Sequence, residues 1–285
     1  MTKRTFAYLR DQWDEKPPQD YQDDLLESIF EIGSAIFVSP DGDDSNTGNR
    51  ANPYATIQKG LDEVTASKNV VFVMPGTYGE NLTWPTLNGA YLIGAGKNKA
   101  VTVDGPDAGG TAVLKIAPAT NYSSEFKAFL ENLHLKHAGT GLAIDNDGHG
   151  SAAPFSVYGK HVSFGKDGGT SIKTAHNGSA AMKLYLEGAG EQIEGEAYLA
   201  IENGSDVARF DGMRLSSGLQ TSAGSAFGGT AEITLVSAEV LHEGVTGGHA
   251  DQRINSLFSW SKTGETYATL DTNDLAGSHT ENIIN

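Results

Sequence analysis

The chain has no cysteine. That absence removes disulfide frameworks, thiolate zinc sites and cysteine nucleophiles together. It is also short of base, with 20 Lys and Arg against 36 Asp and Glu and a formal charge of −16. Phosphate is held by Lys/Arg surfaces, and no cluster of bases occurs, so no nucleic-acid partner is expected. Long apolar runs are missing too. The run at 70–74 is among the longest, far below the ~20 residues that cross a bilayer, so no membrane partner is expected. The opening Met-Thr-Lys-Arg-Thr-Phe leads into Asp11, Asp14 and Glu15 instead of an apolar core, and no secretory signal is read there.

Glycine is what the chain has in excess, with 35 residues. That is roughly 12% against a usual ~7%. Proline is sparse at 9 residues and Val, Ile and Leu are well represented. The glycine therefore signals many tight turns and not a loose linker.

Two regions separate by composition. Residues 1–34 carry many charges and a single glycine, Gly33, and Pro17-Pro18 divides them. In the second half, Leu25, Leu26, Ile29, Phe30 and Ile32 fall at helical spacing, with Asp20, Asp23 and Asp24 at the N-terminal end. The first half sets Phe6, Tyr8, Leu9 and Trp13 among charges. This segment reads as a partly helical anchoring arm.

From residue 35 the pattern turns to short strands. After a seed at 36–38 and an Asp/Ser/Asn/Gly loop, a helix is expected at about 53–64, capped by Asn52 with Pro53 in its first turn. Ile57, Leu61 and Val64 form its apolar stripe. Strands follow at 70–74, 112–116, 130–137, 155–164, 180–187, 197–201, 207–215, 231–241 and 255–259, separated by Asp-Gly and Asn-Gly turns. Their starts recur every ~25 residues, the mark of a solenoid of stacked coils ~4.8 Å apart. An amphipathic helix before the first strong strand suits the cap that a solenoid needs.

Residues 36–94 resemble the opening of pectate-lyase-like right-handed β-helix proteins. The resemblance rests on Ile-Phe-Val-Ser-Pro-Asp-Gly-Asp-Asp-Ser-Asn-Thr-Gly, then Asn-Pro-Tyr-Ala-Thr-Ile-Gln, then Pro-Gly-Thr-Tyr. It implies an all-β, single-stranded right-handed parallel β-helix over 35–285 with an N-terminal capping helix. The fold hosts lyases, hydrolases, epimerases, adhesins and phage structural proteins, so it names no activity. An arm of 34 residues before an acidic β-helix is similar in layout to bacteriophage virion proteins. That likeness implies a homotrimer on the capsid surface, made in the host cytoplasm and docked on the major capsid protein or another virion protein.

Each candidate for chemistry has a simpler alternative. Asp147-Gly-His-Gly-Ser151 and Ser171-Ile-Lys-Thr174 resemble elements of polygalacturonase-type hydrolases. Ser171 stands where those enzymes have Arg, and the carboxylate elements are missing. Asp41-Gly-Asp-Asp-Ser-Asn46 and Asp145-Asn-Asp-Gly148 offer oxygens to calcium but read better as Asx turns. His134 and His137 have opposite strand parity, and His134 is expected to face solvent beside Lys136. Tyr158, Tyr185 and Tyr198 are expected on neighbouring coils, as packing or as a sugar platform. No catalytic residue, metal or cofactor is assigned. The expected function is a non-enzymatic decoration or cement protein anchored by Phe6, Tyr8, Leu9, Trp13, Leu25, Ile29 and Phe30. The alternatives are a short tail spike or fibre that binds or cleaves a surface polysaccharide, and a secreted polysaccharide lyase.

Overall fold

Short apolar strands with one buried face are stable only when stacked, and that is how this chain uses them. The computed structural model describes the backbone of residues 35–283 outside a set of connecting segments, and side chains in most coils up to Arg214. The strands, β1 to β26 in chain order, fall into three sheets. The long sheet has ten strands: β1 (Ala35–Val38), β2 (Val70–Val73), β5 (Ala90–Gly94), β8 (Phe126–Glu131), β11 (Phe155–Lys160), β14 (Met182–Glu187), β17 (Val207–Asp211), β20 (Ala231–Val236), β23 (Gln252–Leu257) and β26 (Asn282–Ile283). A nine-stranded sheet begins with β3 (Gly76–Tyr78), β6 (Val101–Asp104), β9 (His134–His137), β12 (Ser163–Lys166) and β15 (Gln192–Ile193). A seven-stranded sheet begins with β4 (Leu82–Thr83), β7 (Ala112–Ile116), β10 (Thr140–Asp145), β13 (Thr170–Ala175) and β16 (Glu196–Ile201).

Each coil gives one strand to each sheet in turn, and the inter-coil pairs are parallel. The chain is a parallel β-helix. At the far end β24 (Trp260–Thr263) pairs antiparallel with β25 (Thr266–Tyr267).

Alternation along the strands builds the core. Phe126, Ala128 and Leu130 point inward and are buried, with Lys127, Phe129 and Glu131 outside. Register then stacks like on like: Phe126 lies on Phe155, rings parallel at 5.1 Å. Leu114, Leu142 and Ile172 form another fully buried column.

Several expected strands are pairs broken by a corner. The run at 130–137 bends at Asn132 (φ 55°), that at 155–164 at His161 (φ 53°), and that at 207–215 at Gly212 (φ 64°). Asn and Gly tolerate this left-handed conformation, and His does so less often. The residue after each corner, Leu133, Val162 or Met213, is buried, so the apolar rhythm runs through the bend unbroken. The run at 231–241 likewise divides into β20 and β21 (Glu239–Val240). The strand at 112–116 belongs to the seven-stranded sheet, whereas those starting near 155, 180, 207 and 231 belong to the long sheet.

The helix α1 is shorter than expected, Ile57–Asp62. Its N-cap is Thr56, whose hydroxyl accepts from the Lys59 N–H at 3.2 Å. Asn52 does not cap it, because it closes a tight turn with Asn49. Pro53 is held outside the helix, its carbonyl accepting from Asp43 N–H and the Asn46 amide. Ile57 and Leu61 are fully buried, while Val64 lies past the helix end, half-buried against the core.

α1 stands above β4, where a further strand would lie. The Gln58 carboxamide takes the place of that strand's backbone: Thr83 N–H donates to its Oε1 at 2.7 Å, and its Nε2 donates to the Thr83 carbonyl at 3.2 Å. Asp44 accepts from the Ala55 and Thr56 N–H groups at 2.9 Å each. Glu80 accepts from Ile57 N–H at 2.7 Å and Gln58 N–H at 2.9 Å. Burial pushes the Glu80 carboxyl up despite those two donors.

Candidate functional site

The outward positions of the long sheet form three columns. The middle column is aromatic: Tyr91, Phe129, Tyr158 and Tyr185 are in register. Their rings stack at 4.3, 5.1 and 5.1 Å with interplanar angles of 8°, 14° and 10°. Arg209 continues the column on β17. One flank holds Lys127, Ser156, Lys183 and Val207 in register, and the other holds Glu131, Lys160, Glu187 and Asp211.

Stacking limits what this column can do. Sugar binding uses an open ring face, but here the rings lie face to face, so edges and hydroxyls point outward. The ladder is packing between coils, worth ~0.5–1.5 kcal/mol for each ring pair beyond area. Tyr158 and Tyr185 are brought together as the sequence implied. Tyr198 is not: it lies on β16 of another sheet, opposite Lys173. Tyr91 and Phe129 were not singled out, although an aromatic recurring at one outward strand position in successive coils was the available signal.

One flank carries two bases and no acid, and the other three acids with Lys160 among them. Lys127 meets Glu125 at 3.3 Å. On the other side Asp211 is held by Arg209 at 2.9 Å. Glu187 and Asp211 are neighbours on adjacent strands.

The nine-stranded sheet carries the histidines. His134 points outward, as its parity requires, but it is 6% exposed and does not face solvent. Its Nδ1 lies 2.9 Å from the Ser163 hydroxyl on the next coil. Gly165 makes room for the ring, since a Cβ there would sit 2.7 Å from His134 Nε2. Burial, helped by the Lys99 charge, lowers the ring to about 4, so it is neutral at pH 7. Lys136 sits beside it and pairs with Asp104 at 3.0 Å. His137 turns inward, with Nε2 3.0 Å from the buried Ser171 hydroxyl. Both pairs tie one coil to the next.

The loop acids expected at 41–46 are engaged by the loop itself. Asp43 accepts from Ser45 N–H at 2.8 Å and from its hydroxyl at 2.7 Å, and these bonds lower its carboxyl pKa. Asp44 caps the approach to α1. Among the described residues no group of three His, Asp or Glu is arranged to hold a metal ion. Gly148-His149-Gly150 and the residues expected to anchor the arm, Phe6, Tyr8, Leu9, Trp13, Leu25, Ile29 and Phe30, lie outside the described residues.

Residues 40–147 match the family described as a protein of unknown function, DUF1565. The match runs from the loop after β1 to the end of β10, across the cap and the first three complete coils. That family is associated with pectin-lyase-like β-helix proteins, in agreement with the parallel sheets. No curated protein matches the chain.

Proposed function

We propose that the chain is a non-enzymatic structural protein of a bacteriophage virion. In this reading it decorates the capsid surface and docks through residues 1–34 onto the major capsid protein or another virion protein. The observation that supports it is where the acidic side chains go. Asp44 and Glu80 brace α1. Asp206, 1% exposed, accepts from Met182 N–H at 2.7 Å. Glu191 accepts from the Ala189 N–H and lies 2.9 Å from His161 Nδ1. Asp104 and Asp211 are paired with bases. Asp104, Asp206 and Glu191 each tie one coil to another, as a scaffold requires, while Asp211 is held within its own strand. Residues 1–34 also join the rod at its capped pole, which suits an anchor with the rod projecting outward. Deleting residues 1–19 is expected to leave a folded protein that no longer attaches to particles. Wild-type occupancy by the truncated protein would refute the anchor.

One observation favours a second reading, a short tail spike that cleaves a surface polysaccharide. Glu187 and Asp211 are an outward pair of carboxylates at partner positions on adjacent strands, and glycoside hydrolysis uses two neighbouring carboxylates. Release of reducing ends from bacterial capsule or lipopolysaccharide would establish it.

A further inference from the structure

We infer that the outer face of the long sheet binds a second copy of this chain, with the two coil axes parallel. The argument starts from the two flanks of the aromatic ladder. Lys127 and Glu131 stand two residues to either side of Phe129, and Lys183 and Glu187 two residues to either side of Tyr185. β8 and β14 each place a base on one flank and an acid on the other at the same height, whereas β11 between them carries Ser156 and Lys160 there. Lys127 lies 3.3 Å from Glu125, and the Lys183 charge also reaches that carboxylate.

Two identical sheets laid face to face are related by a two-fold axis in the plane of contact. An axis running along the strands keeps each flank on its own side and reverses the coil order. Lys127 then meets the partner's Lys183, and Glu131 meets the partner's Glu187. Like charges across an interface are repulsive. An axis running along the coil stack exchanges the flanks and keeps the heights. Lys183 then faces the partner's Glu187, Lys127 faces the partner's Glu131, and the two ladders meet in the middle. This arrangement pairs both Lys–Glu sets symmetrically and sets no like charges of the flanks against each other, with Lys160 facing the partner's Ser156. The half-exposed aromatic edges supply the apolar centre and the charges supply the rim, the usual anatomy of an interface. Ten strands ~4.8 Å apart and on average ~16 Å long offer roughly 800 Å², about what each partner of a standard interface buries.

The test is sedimentation of the full chain at micromolar concentration in low salt, with charge reversals at exposed positions. The parent should sediment as a dimer. Lys183→Glu and Glu187→Lys should each weaken association roughly tenfold or more, since each sets like charges against each other. Mixing the two single variants should restore the dimer, because one then carries acid on both flanks and the other base. The double variant should dimerise like the parent. A parent that stays monomeric, or forms the threefold assembly implied by the virion resemblance, overturns the inference. So does association indifferent to the reversals, or a mixture that fails to rescue.

Discussion

The capped pole and the middle coils satisfy the same strand edges by different means. In the middle, backbone pairs with backbone and side chains stack on their equivalents, as Phe126 does on Phe155. At the pole no described strand pairs with the outer edge of β4, and the Gln58 carboxamide serves Thr83 there. Asp44 and Glu80 then hold the helix that carries Gln58. Inside the stack, strand pairing and stacked side chains repeat from coil to coil with polar pairs such as His134–Ser163 added to them, whereas the end relies on individually placed polar groups in place of the missing repeat. Neighbour terms govern solenoid stability in this way, with terminal units built differently.

The largest expected effect tests whether the pole is needed at all. Ile57→Asp with Leu61→Asp sets two charges where both side chains are fully buried, at a cost of several kcal/mol. Chemical denaturation should show a loss large enough to unfold the first coils, and a parent-like midpoint would mean that α1 is not the cap. In the middle, Phe155→Ala removes one ring of a buried stack and should cost about 3–5 kcal/mol.

A pH series distinguishes the middle coils further. The His134 ring protonates at about 4 in the folded chain, against ~6.5 when unfolded. The unfolded state therefore binds more protons between those values. Stability should be complete above the upper value and fall with pH through the window, by at most ~1.4 kcal/mol per pH unit. His134→Gln should flatten that slope. If the slope persists unchanged, His134 is not its source. The smallest effect returns to the pole: Gln58→Ala orphans two groups that water reaches, for a loss of about 1 kcal/mol. A larger loss would show that the strand mimicry governs the end.

The architecture was legible because its signals are local. The Asn-Pro-Tyr and Pro-Gly-Thr-Tyr segments and the inward-outward alternation at 182–187 read directly. The corners at Asn132 and His161 did not. No glycine marks them, and the buried residue that follows each keeps the strand rhythm going. The helix start was misplaced because Asn52 has the chemistry of a cap, yet its tertiary partner Asn49 claims it for a turn. His134 looked solvent-facing by parity. Burial of an outward residue depends on what the adjacent coils bring over it, here Ser163 and the neighbourhood of Lys99, which lie some 30 residues away in sequence. The ladder escaped for the same reason: two of its four rings looked like ordinary strand aromatics until register aligned them.

The parallel pairing has a mechanical consequence. Hydrogen bonds between coils run along the rod, so a sideways push is shared by the whole stack, while a pull at the Ala35 end loads only the outermost coil. That coil can peel away by itself. A coil of roughly 27 residues, the spacing of Phe155 and its register partner Met182, pays out ~90 Å of chain when straightened and shortens the rod by only ~4.8 Å. Under tension the molecule is a spool that yields stepwise, stiff in bending and extensible along its length.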